Sequence, residues 1–93
     1  MDQFKVNDLV EWSSQAGGRY KKKTGKIVWI LNEKDGPVFV ANTEFPNHRR
    51  MFDGYSIPGR AKIGYLVEVI AGPKAKPRLY MPYPSLIKKA SSV

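Results

Sequence analysis

The sequence predicts a small all-β fold, a single domain built as a five-stranded barrel. Three observations lead there. The chain has 93 residues, room for one domain with a modest core. Its apolar residues come in short runs rich in β-branched and aromatic types, with 42% hydrophobic and 12% aromatic residues overall, a composition that argues against disorder. Between the runs stand clusters of Gly, Pro, Asn and Asp, the residues that turn a chain.

The elements follow in order. Residues 6–13 read as a first strand, with Val6, Val10 and Trp12 on one face and Asp8 breaking the alternation. Residues 13–18 are small and polar and end in Gly17-Gly18, so a loop is expected. This makes a long first connection between Trp12 and Ile27. Lys26-Ile27-Val28-Trp29-Ile30-Leu31 is the strongest strand candidate, and its lack of polar alternation predicts cover on both faces. Asp35-Gly36-Pro37 is a dense turn signal, and residues 38–41 read as a short strand. Residues 42–63 hold Pro46, Gly54, Pro58 and Gly59 without a regular period, the pattern of a long loop. Residues 65–70 alternate cleanly, with Tyr65, Val67 and Val69 one way and Leu66, Glu68 and Ile70 the other. Residues 71–77 turn the chain. Residues 78–81 form a short strand that Pro82 must end or place at a sheet edge, with Arg78 and Tyr80 on one face and Leu79 and Met81 on the core face. Pro84 opens a short helical turn, and 90–93 is a tail.

Five strands, a long first connection and a late helical turn describe an SH3-like barrel. The oligonucleotide-binding barrel is the alternative, but it wants a helix between strands three and four, where 42–63 shows no helical period.

Charge narrows the partner. Sixteen Lys and Arg stand against eight Asp and Glu, a net +8, with a pI near 9.9. Residues 1–46 carry +1 and residues 47–93 carry +7. A pI above ~9 with one-sided charge points to a polyanion, most often nucleic acid or a membrane surface. The plainer reading is a solvated basic surface.

Val6-Asn7-Asp8-Leu9-Val10-Glu11-Trp12, then Gly17-Gly18, then Thr24-Gly25-Lys26-Ile27-Val28 resembles the opening of Tudor-like and KOW-type SH3-like domains. Those domains place Gly-Asp before the first strand and a Gly before the Val/Ile pair of the second. Asn7 stands where the first Gly would, a mild departure because Asn tolerates positive φ. With Tyr65-Leu66-Val67, Pro77-Arg78-Leu79-Tyr80 and Leu86-Ile87-Lys88, a nearer likeness is to the hypervirulence-associated Tudor-like domains. Short bacterial and phage proteins of the same build are similar too. The resemblance covers residues 4–31 and 63–89. It implies a Tudor-like barrel that binds RNA, DNA, ribosomes, modified tails or protein partners.

Three basic clusters supply the candidate nucleic-acid contacts. Lys21, Lys22, Lys23 and Lys26 follow Tyr20, offering phosphate contacts beside a stacking ring. Lysines of this kind also discourage strand pairing at an edge. Arg49, Arg50 and Arg60 share the long loop with Phe52 and Tyr55, while Phe45, Met51 and Phe52 read as a small core beneath it. Lys74, Lys76 and Arg78 precede Tyr80 and Tyr83, which either form a platform or close the barrel. Trp12 and Trp29 lie in strand patterns and read as core. A secondary reading combines Trp12, Tyr20 and Tyr80 with Glu11 or Glu68 as a cage for a methylated cation.

Enzyme chemistry is not expected. His48 is the single histidine and there is no cysteine, so thiolate catalysis and Cys-based metal sites are excluded. No phosphate-binding Gly-rich motif is present, and no cofactor or metal is expected. The N-terminus does not read as a signal peptide. The longest apolar run, 27–31, is far short of the ~20 residues of a membrane span. A soluble, cytoplasmic binding module is expected, with no membrane partner. Nucleic-acid binding without sequence preference leads. A protein-interaction adaptor using an aromatic surface or a sheet edge, or an assembly protein of bacterial or phage type, is the alternative.

Overall fold

Alternating apolar residues pair into one mixed sheet in the computed structural model, which describes residues 4–16, 19–32, 34–52, 62–70 and 72–90, with backbone alone at 14–16 and 19–21. The elements are β1 (Leu9–Ala16), β2 (Arg19–Asn32), α1 (Pro37–Glu44), β3 (Arg49–Arg50), β4 (Ile63–Val69), β5 (Arg78–Tyr80) and β6 (Lys88–Lys89). A 3₁₀ turn spans Pro84–Leu86, at the place where Pro84 predicts one. The strand order is β3-β5-β4-β2-β1-β6. All neighbours are antiparallel except β3 and β5, which run parallel.

The mainly strand character stands as the sequence predicts. The sheet, however, is open and has six strands, ending at β3 and β6, so it is not a closed ladder of five. Two further expectations give way. Residues 38–41 are helical, not extended, because α1 spans Pro37–Glu44. Pro37 presets a helical φ at the first turn, and Val40 and Ala41 pack against Leu31, Leu66 and Leu79. The helix also takes the first residues of the expected 42–63 loop, and β3 takes two more. The long first connection is likewise a paired hairpin: β1 and β2 stay in register from Leu9↔Lys26 to Ala16↔Arg19. Ladder hydrogen bonds with a neighbouring strand override the weak strand preference of Ser13-Ser14-Gln15. Gly17-Gly18 lies outside the described residues.

The first strand starts later than expected. Asn7 has φ 80°, and its N–H donates to Ile27 O at 2.7 Å. The Asp8 carboxylate accepts from Lys5 N–H at 2.8 Å, closing a turn that leaves Val6 exposed. Extended pairing therefore begins at Leu9.

Two cores lie on opposite faces of β4, where Leu66 and Val67 are consecutive and both fully buried. The first face holds Phe4, Val10, Trp12, Ile27, Tyr65, Val67 and Ile87. The second holds Leu31, Val40, Ala41, Leu66 and Leu79, covered by α1. A bulge lets β2 serve both. Ile27 pairs Val67 but Trp29 pairs Leu66, so Val28 is the extra residue and the odd positions change face across it. This explains why 27–31 shows no alternation. Burying each large aliphatic side chain contributes ~1.5–3 kcal/mol.

The sheet is strongly curled toward its first face. Trp12 on β1 and Tyr80 on β5 are separated by β2 and β4, about 14 Å apart if flat. Their ring centroids lie 5.7 Å apart. Gly25 permits this curl: a Cβ there would sit 2.5 Å from Glu68 O and 2.7 Å from Val67 Cγ1.

Candidate nucleic-acid interface

Strand pairing decides which cations meet. β3 lies parallel to β5 with Arg49 opposite Arg78 and Arg50 opposite Leu79. Arg49 N–H donates to Pro77 O at 2.8 Å, and Met51 N–H to Leu79 O at 2.9 Å. Paired residues point the same way, so Arg49 and Arg78 share the first face with Tyr80, the partner of Val67. Lys23 joins them from β2. It pairs Trp12, and its Nζ sits 5.0 Å from the Tyr80 ring centroid, a cation–π contact. Arg49, Arg78, Tyr80 and Lys23 thus form one strip on the first face. Lys74 and Lys76 are exposed in the turn that leads to Arg78.

The remaining predicted residues divide. Lys22, Lys26 and Arg50 fall on the second face, by their registers with Ser13, Glu68 and Leu79. Lys26 lies in the strand where the sequence puts it, whereas Lys22 and Arg50 sit within strands and not in the connections expected for them. Lys22 Nζ pairs Glu11 at 2.9 Å. The side chains of Tyr20 and Lys21 lie outside the described residues, as do Tyr55 and Arg60 entirely.

The aromatic expectations resolve as follows. Trp12 is core, at 6% exposure. Trp29 is partly buried against the second core with Phe45 and Phe52, whereas Met51 is exposed. Trp12 and Tyr80 do converge, but the cage lacks its carboxylate. Glu11 and Glu68 sit between first-face neighbours on their strands and point the other way. Lys23 already occupies the Tyr80 ring.

Two features escape the sequence reading. His48 Nε2 lies 2.7 Å from Glu68 Oε2, with the imidazole edge-to-face on Phe45 at 5.2 Å. This partly buried pair ties the residue before β3 to β4. Lys88 and Lys89 form β6, paired with Glu11 and Val10. Both sheet edges are therefore two-residue basic strands, a device that discourages edge-to-edge pairing. The Leu86-Ile87-Lys88 segment carried a signal for β6. The His48–Glu68 contact spans twenty positions and has no local signature.

No helix among the described residues is long and apolar enough to cross a membrane. Compared with family models, curated proteins and solved structures, the chain matches none.

Proposed function

We propose that the chain is a small basic binding module of SH3-like, Tudor-like build that holds nucleic acid without reading its sequence, and not an enzyme. One observation carries this. The Arg49↔Arg78 pairing sets these two cations beside Lys23 and Tyr80 on a face to which no described strand carboxylate points. Net charge +8 supplies the long-range attraction. Lys74, Lys76 and, from the other basic cluster, Lys21 extend the phosphate contacts, with Arg60 and Tyr20 as further candidates. The curled sheet, the Asn7 turn and the 3₁₀ turn before β6 support the SH3-like build.

Titration against labelled DNA and RNA at two salt concentrations tests this reading. Binding is expected to weaken steeply with salt, because each phosphate contact releases counterions. Absence of binding at low salt overturns it.

A protein-interaction adaptor has one observation in its favour. A shallow groove of about 350 Å³ on the second face is lined by Leu9, Thr24, Gly25, Lys26, Glu68 and Ile70, and Leu9 and Ile70 are exposed. That reading expects no steep salt dependence.

A further inference from the structure

We infer that the first-face strip addresses the phosphate backbone of a duplex, DNA or RNA, and does not stack the bases of a single strand; this rests on the nucleic-acid reading above. Sequence-tolerant binding of single strands draws on open ring faces. Among the described strand residues of this face the rings are already engaged, and the exposed Tyr83 lies beyond β5. Tyr80 packs against the first core, meets Trp12 edge-on at 62°, and carries the Lys23 ammonium over its ring. Trp12, Phe4 and Tyr65 are buried, with Phe4 and Tyr65 packed edge-to-face. A base could reach Tyr80 only by displacing Lys23.

The same contact that closes the ring holds the cation. Lys23 is long and flexible in water, and the Tyr80 ring restrains it on the face that Arg78 shares. Arg78 is half-buried in β5, and Arg49 is carried by a strand hydrogen-bonded to it. Strand pairing thus fixes the backbones that carry these two cations. A duplex presents a phosphate charge about every 1.7 Å along its axis, and such a lattice meets fixed cations without rearranging. A flexible single strand carries less charge per length and would need the rings.

The test is a titration of one short mixed-sequence duplex, as DNA and as RNA, beside its separated strands at the same salt. The duplex is expected to bind about tenfold tighter. Lys23→Gln is expected to weaken duplex binding several-fold and to lower the salt slope by roughly one, with thermal unfolding confirming an intact fold. Single-strand binding equal to or tighter than duplex binding overturns the inference. So does a gain in single-strand affinity in Lys23→Gln, where the Tyr80 ring is uncovered, or its loss in Tyr20→Leu. Failure of every polyanion to bind at low salt is a different result, and it removes the nucleic-acid reading itself.

Discussion

The two faces of the sheet are made from the same strands yet differ in both core and charge. The first face curls over an aromatic core of Phe4, Trp12 and Tyr65, and its rim is Lys23, Arg78 and Arg49. The second face packs an aliphatic core under α1. There Glu11 pairs Lys22 and Glu68 pairs His48. Alternation sends both described strand carboxylates to the second face. Cations therefore sit among opposite charges on one side and beside a ring on the other. A net charge says how much attraction the chain has; pairing says to which face no described strand carboxylate points.

The difference between the faces can be broken from either side. The largest effect is expected at the second core. Leu66→Ala opens a cavity beneath α1 and should cost about 2–5 kcal/mol in denaturant unfolding. A smaller loss would mean that α1 settles onto the sheet to fill the space. Next comes the curl of the first face. Gly25→Ala drives a methyl into Glu68 O and Val67 and should cost about 1–3 kcal/mol as overpacking. If it is tolerated, the approach of β2 to β4 is looser than the 2.5 Å geometry requires.

Charge reversal compares the faces directly. Arg78→Glu should weaken nucleic-acid affinity by about tenfold or more, whereas Lys26→Glu on the second face should weaken it less. Equal losses would mean that no face is preferred. The smallest effect lies at the turn that starts β1 and sets its parity. Asn7→Ala should cost about 1 kcal/mol because of the positive φ, and Asn7→Gly should cost less. Equal melting temperatures for the two variants would show that Asn7 does not need its φ of 80°.

Legibility follows the range of the interaction. The alternation of 65–70 and 78–81 was readable because a half-buried strand imprints period two on its residues. The turn at Asn7 was not readable from the residues, which put it inside the first strand; the resemblance alone set it where a Gly is usual, and Asn tolerates the φ of 80° found there. The 37–44 helix was not readable either, since it is one short segment with almost no amphipathic period of its own, and its helical state depends on Leu31, Leu66 and Leu79 beneath it. The basic strip was half readable: Arg78 and Tyr80 share a face by spacing alone, but Lys23 and Arg49 join them only through their strand partners.

The amino-acid sequence by itself therefore determines the mainly strand character, the stop at Pro82, the late helical turn and the +8 charge. Each depends on a residue's own backbone preference or on a count. Tertiary structure alone decides that six strands form an open sheet, that 37–44 is helical, and which cations share a face. Those outcomes depend on register and on the Val28 bulge. A one-residue shift in pairing moves every side chain of a strand to the opposite face.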